Sequence, residues 1–288
     1  MARGLDHISH AVRDLDAAAA LYERLGFIVG GRNRHAWGTH NRVVQLDCFY
    51  VELLTIGEPD KIPPHGPRSF SFGAFQRDFL SRREGLSMLL LDSRDAKADA
   101  AAFRAAGIGD FDVFDFEREG RRPDGSAVTL AFSLVFATDA RAPDAGFATC
   151  QHHFPQNFWN PAVQAHRNGA TTVAGVVMVA ENPSDHHVFL SAYTGERELL
   201  ATSSGVTVTT PHGFIQAMEP STFVGHFGVA APDVTRGGQL AALVVSVRDL
   251  AATAALLAKV GVAAETRMGR LVVGPQAAMG ATIVFEAR

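Results

Sequence analysis

"VRDLDAAAALYERLGF" at residues 12–27 returns near the other end of the chain as "VRDLAATAALLAKVGV" at residues 247–262, with nine of sixteen positions identical and no gap. Each stretch follows an apolar segment, "LDHISHA" or "QLAALVVS". Each then has an aspartate suited to cap a helix N-terminus (Asp14, Asp249), an Ala/Leu-rich helical pattern, and a closing glycine (Gly26, Gly261). This is a strand, a helix and a chain reversal. A third copy, "LSMLLLDSRDAKADAAAFRAAGI" (86–108), keeps Asp95 and Gly107 in the same relation, and a weaker fourth is "TVAGVVMVAENPSDHHVFLSAYTG" (172–195). Stretches with strand character follow the copies, at 27–56, 111–150, 197–218 and 263–286.

The repeat predicts an α+β chain of four βαβββ modules. One helix covers one face of a module's sheet and leaves the other face open until a second module joins it. Two pairs of modules then make two curved, incomplete barrels, each with a concave interior. Pro and Gly punctuate "NFWNPAVQAHRNGA" (157–170), so residues 1–160 form the first pair and residues 161–288 the second.

Composition narrows the classes of function. The 288 residues are 47% hydrophobic and 19% charged, with a net charge of −4 spread along the chain, which advertises neither nucleic acid nor an anionic membrane as partner. The longest apolar runs, such as "VAGVVMVA" (173–180), are too short to span a bilayer. No secretory leader is read at the N-terminus, where charged Arg13 and Asp14 soon follow. Cys48 and Cys150 make no disulfide framework, so a cytoplasmic location is expected.

The βαβββ repeat opening with "LDHISHAVRDLDAAAALYERLGF" resembles the vicinal oxygen chelate superfamily, which includes glyoxalase I, extradiol dioxygenases and fosfomycin-resistance proteins. More narrowly, "HAWGTHNRVVQL" (35–46), "YVELL" (50–54) and "FATCQHHFPQNFWNPAVQAHRNGA" (147–170) resemble a glyoxalase-like branch of bacterial proteins. The resemblance implies metal ligands on the first and last strands of paired modules: His7 matches the first-strand histidine and Glu52 the last-strand carboxylate. It also offers a reason for a glutamate in the otherwise apolar strand "DCFYVELLTI" (47–56). The second module departs from the pattern, because the offset from Asp14 to Asp95 puts Met88 where the next histidine belongs. Registering Phe147 on Phe49 aligns Cys150 with Glu52 and brings His152 to the same face; a one-residue slip brings His153 instead. His7, Glu52 and His152 would be a two-histidine, one-carboxylate set for Fe(II), Zn, Mn, Ni or Co. In the second pair the corresponding positions are Gly175 or Val176 and Gln216, then Ala242 and Val284, so no such site is expected there.

Blander roles stand beside these. Glu52 could be a strand-edge carboxylate in water, and His7 a hydrogen-bonded histidine. Alternation sends His10 to the helix-covered face. Cys150 reads as a small buried residue, and His186 and His187 as surface. Trp37, His40 and Asn41 either line the pocket or secure its hairpin, with Tyr50 and His153 further pocket candidates. Trp159 would seal the seam between the pairs, and His166 and Asn168 would bond locally in a turn. "EREGRR" (117–122) reads as a solvated hairpin loop.

The function expected is that of a divalent-metal-dependent glyoxalase-like enzyme acting on a small molecule with adjacent oxygens. Lyase or isomerase chemistry, or ring-cleaving dioxygenation with iron, would follow from the ion. Tyr50, His153 and Glu52 are unranked candidates for a general base. The alternative is a metal-free protein that binds or sequesters a small molecule in the same cavity. Four modules in one chain allow a monomer, and a homodimer is equally compatible.

Overall fold

The structure, a computed structural model, describes residues 2–121 and 125–288. The first module comprises β1 (Leu5–Ala11), α1 (Leu15–Arg24), β2 (Asn33–Arg34), β3 (Thr39–Leu46) and β4 (Phe49–Ile56). Helix α2 (Phe72–Arg82) leads to the second: β5 (Gly85–Asp92), α3 (Ala96–Ala106), β6 (Phe114–Arg121), β7 (Ala127–Ala137) and β8 (Gly146–His152). A short α4 (Pro155–Phe158) precedes the third: β9 (Ala170–Val179), α5 (His187–Thr194), β10 (Leu200–Thr202), β11 (Gly205–Thr209) and β12 (Phe214–Met218). After α6 (Pro220–Phe227) comes the fourth: β13 (Gln239–Val247), α7 (Leu250–Lys259), β14 (Glu265–Arg267), β15 (Arg270–Val273) and β16 (Thr282–Ala287).

The repeated signals act locally as their chemistry requires. The side chains of Asp14, Asp95 and Asp249 each accept backbone N–H bonds in the first turns of α1, α3 and α7. Gly107 ends α3 in the left-handed conformation, φ 69°, that favours glycine. The modules pair into two eight-stranded sheets of matching topology, β2-β3-β4-β1-β5-β8-β7-β6 and β10-β11-β12-β9-β13-β16-β15-β14. In the first, β1 lies parallel to β4 and antiparallel to β5. In the second, β9 lies parallel to β12 and antiparallel to β13.

A single apolar core runs through the helix-covered faces of both sheets. Phe27 stacks on Phe285 at 6.0 Å and Phe147 meets Phe189 at 4.7 Å. The buried Tyr193 hydroxyl of α5 sits 2.7 Å from the Leu89 carbonyl oxygen and 2.8 Å from that of Ala148, tying the second half to the first sheet. His10 faces this layer as alternation requires, with Nδ1 2.9 Å from the Tyr22 hydroxyl of α1.

The open faces differ between the sheets. That of the second is filled by Val177, Met218, Val244 and Val284 together with Phe223 and Phe227 of α6. Strand registers place Gly175 beside Phe214 as His7 lies beside Tyr50, and Gln216 beside Val177 as Glu52 lies beside Ser9. The second sheet therefore has glycine and glutamine where the first has histidine and glutamate.

Three sequence expectations are corrected. Glu52 pairs with Ser9, and the equivalent pair in the second module is Ala148 with Leu90; Cys150 thus corresponds to Leu54 rather than to Glu52. Residues 117–121 are not loop but strand β6, paired with β7, while Arg122 lies outside the described residues. His186 is buried, its Nδ1 2.5 Å from Asp139 Oδ2, whereas His187 is exposed. Helices α2 and α6, which join modules, have no counterpart in the repeat. No helix among the described residues is long and apolar enough to cross a membrane.

The Tyr193 contact gives a test of how the halves are joined. Tyr193→Phe leaves two buried carbonyl groups without their shared donor and is expected to cost about 1–2 kcal/mol. Urea unfolding of the variant checks this.

Candidate functional site

The site begins with an irregularity in β1. Its register against β5 pairs Leu5 with Leu91 and His7 with Leu90, so Asp6 is the extra residue of a β-bulge. Regular alternation would send Asp6 to the face opposite His7. The bulge instead sets its carboxylate 2.5 Å from His7 Nδ1 and 3.1 Å from His152 Nε2. All three side chains are largely out of water. Burial alone would raise the Asp6 pKa, but the charge and hydrogen bond of His152, followed by those of His7, hold it far below the usual carboxylate range.

Glu52 lies on the same concave face and is also buried. Its Oε2 accepts from Ser9 Oγ at 2.8 Å and its Oε1 from Asn41 Nδ2 at 2.6 Å, while Asn33 in turn donates to Asn41 at 2.9 Å. Hydrogen bonds to a charged group are worth roughly 1.5–3 kcal/mol each, and these two offset the cost of burying the carboxylate. The His7 ring stacks on Tyr50 at 4.2 Å. Burial raises Tyr50 well above the ordinary phenol range, aided by the nearby Cys150, Asp6 and Glu52, so its hydroxyl keeps its proton. Burial likewise keeps Cys150 a neutral thiol, with Asp6 and Glu52 adding to the effect.

His7, Asn41, Tyr50, Glu52 and Cys150 enclose a cavity of about 40 Å³, walled also by His35, Trp37, Phe116, Arg118, Phe132 and Phe158, while Asp6 and His152 stand behind this lining. Beyond Phe158 opens a vestibule of about 740 Å³ that shares Val43, Arg118 and Phe158 with the cavity wall. Trp37, Asn41, Tyr50, His7 and Glu52 are thus brought together as cavity lining. His153 is not: alternation turns it to the other side of β8, where its Nε2 meets Ser133 Oγ at 2.7 Å in a separate cleft. His40 points away from the cavity as well, with Nε2 3.4 Å from Glu58. Trp159 does not seal the seam between the halves; it stacks on His152 and borders the vestibule. His166 reaches beyond its own turn, with Nε2 2.7 Å from the Gln45 carbonyl oxygen.

Sequence reasoning passed over Asp6, His35 and Arg118. Asp6 required knowledge of the bulge. His35 sits in a loop, its Nδ1 2.8 Å from Thr39 Oγ1, and burial pulls its pKa down to about 4 against the opposing charge of Glu52. Arg118 was legible in principle, since "FDFE" alternates apolar and charged residues as a half-buried strand does, and continuing that alternation puts Arg118 on the face of Phe114 and Phe116.

Two observations bear on whether a divalent metal fits. Asp6 takes up His7 Nδ1 and His152 Nε2, and His152 Nδ1 is buried without a hydrogen-bond partner among the described residues. A carboxylate bonded to one ring nitrogen fixes the histidine so that the other nitrogen can ligate. Separately, ligand atoms of Asp6, His7 and Cys150 lie within 4.8 Å of one another. Donors on one zinc-like ion stand about 3–4 Å apart, so modest side-chain shifts close Asp6, His7 and Cys150 on an ion, whereas among the described residues His7, His152 and Glu52 do not form so close a group. The donors fit a divalent metal.

A family model described as a glyoxalase-like domain matches residues 5–194. Among solved structures, a hypothetical protein from Staphylococcus aureus superposes with a TM-score of 0.68 at 11% identity, covering 99% of this chain and all of that one. A mutant of 4-hydroxymandelate synthase from Streptomyces coelicolor gives 0.60 at 12% identity, covering 100% and 94%. A xylose isomerase-like TIM barrel/4-hydroxyphenylpyruvate dioxygenase fusion protein gives 0.55 at 12% identity, with this chain covered completely and 49% of that one. These likenesses establish the fold. No curated protein matches the sequence.

Two acid-dependent losses of stability should be separable. His35 is neutral in the fold, so its contribution is complete above about pH 6.5 and fades as pH falls towards about 4. The depressed Asp6 contributes above its unfolded value near 3.8 and loses that contribution as pH falls further. His35→Gln should flatten the stability profile in the first window and Asp6→Asn in the second, each by on the order of 2 kcal/mol, in urea titrations across pH.

Proposed function

This chain belongs to the glyoxalase-like domain family of the vicinal oxygen chelate superfamily, and from that premise we propose that it is a metal-dependent enzyme acting on a small molecule with adjacent oxygens. The observation that carries this reading is Asp6, one buried carboxylate bonded to one nitrogen of each of two histidines. His7 and His152, with Glu52 from β4, would hold the ion, and Asp6 would orient both rings. When bound, the ion would supply Lewis acidity towards substrate oxygens, and iron would add oxygen chemistry.

The remaining residues have roles of their own. Tyr50 keeps its proton and can hydrogen-bond a developing oxyanion. Ser9 and Asn41 hold the Glu52 carboxylate in one orientation. Trp37, Phe116, Phe132 and Phe158 exclude water from the cavity. Neither Tyr50 nor His153 suits the role of general base, the first because it stays protonated and the second because it faces another cleft.

A second ligand set is favoured by proximity alone: Asp6, His7 and Cys150. The metal-free binding protein also has an observation in its favour, since Asp6 bonds one nitrogen of each imidazole without an ion. Elemental analysis of untagged protein separates the three. Near-stoichiometric metal lost in His7→Ala and Glu52→Ala but kept in Cys150→Ala supports the proposed set, and Asp6→Asn should weaken binding roughly 10–100-fold. Metal lost in Cys150→Ala and kept in Glu52→Ala would move the site to the second set. No metal after reconstitution with several divalent ions would leave the binding protein.

A further inference from the structure

Arg118 is the charge that the proposed chemistry leaves unused. On β6 it follows Phe114 and Phe116 at alternate positions, while the intervening Asp115, Glu117 and Glu119 are exposed. It is half-buried and borders both the enclosed cavity and the vestibule. Among the described residues its guanidinium makes no ion pair and no hydrogen bond. Glu52 is close enough for its charge to act on Arg118, but among the described residues the two form no salt bridge, and the Glu52 carboxylate accepts instead from Ser9 and Asn41. Burial works against the Arg118 charge, and the Glu52 charge opposes that effect.

A cation taken part-way out of water without a direct ion pair is costly, and such a group is retained where something supplies the missing anion. The surroundings narrow what that anion is. Phe158 borders both the cavity and the vestibule and Phe116 lines the cavity, offering apolar surface beside one fixed positive charge. The planar guanidinium fork matches a carboxylate. A phosphate dianion is less suited, because one arginine faces it and the Glu52 carboxylate shares the same space.

We propose that Arg118 binds the carboxylate of the substrate, which is therefore a small organic monoacid with an apolar or aromatic body. The acid group lies at the vestibule end, the body packs against Phe116 and Phe158, and the reacting end faces His7 and Glu52. The enclosed cavity is too small for such a molecule by itself, and the adjoining vestibule supplies the room. This assignment rests on reading the concave pocket as the active site.

Benzoate and its uncharged isostere benzamide test it, with binding read by fluorescence of Trp37 and Trp159, which border the cavity and the vestibule. The protein as purified should bind benzoate at least about tenfold more tightly than benzamide, the scale of a charge-assisted hydrogen bond. Arg118→Gln should erase that preference and Arg118→Lys should keep part of it. Equal affinity for the two compounds, binding of neither, or a preference that survives in Arg118→Gln would overturn the proposal. Metal content measured on the same samples keeps the two readings apart: a benzoate preference in protein that binds no metal upholds Arg118 and removes the metal-dependent chemistry alone.

Discussion

The antiparallel pairing of β1 with β5 is the constraint on which the rest of the first half depends. It joins two modules edge to edge, and because β1 is also parallel to β4, it sets three strands at the floor of one concavity. The bulge within that pairing adds Asp6 to the face that already carries His7. A buried carboxylate is tolerated there because it receives hydrogen bonds from two imidazoles. The pairing that builds the sheet thereby also builds the centre of the site.

The two halves share a topology and divide the work. Repetition of the backbone scaffold is complete, strand for strand, while the side chains on the open faces have diverged. The second sheet buries Val177, Val244 and Val284 beneath two phenylalanines of α6, which leaves its concavity a packed core. Its α5 lends Tyr193 to the back of the first sheet, behind β5 and β8. A polar, partly hollow interior is costly to maintain, and the apolar half supports it through the shared core.

The fold was legible because its signals are local and repeated. Aspartate caps, Ala/Leu-rich helices and terminal glycines recur at matching offsets, and strand alternation gave the faces of His7, Glu52 and His10 correctly. What was not legible depended on departures from regularity. Alternation hides Asp6, because a bulge is a property of two strands and cannot be read from one. Aligning Phe147 on Phe49 was a reasonable guess at register, but only strand partners show that Ala148 takes the place of Glu52. Arg118 was missed for a different reason: mixed charge in "EREGRR" suggested solvent, when Arg118 alternates with exposed Glu117 and Glu119 and borders the cavity. His186 looked exposed for want of its partner Asp139, which lies 47 residues away in the chain.

The central claim is that the Asp6-bridged histidines are one side of a metal site. Anomalous diffraction from crystals grown with cobalt(II), recorded above and below the cobalt edge, addresses it most directly. The account predicts one strong peak in the concavity of the first sheet, within bonding distance of His7 and His152 and absent from the second sheet. A concavity without a peak, in crystals that show cobalt elsewhere or none at all, would contradict it.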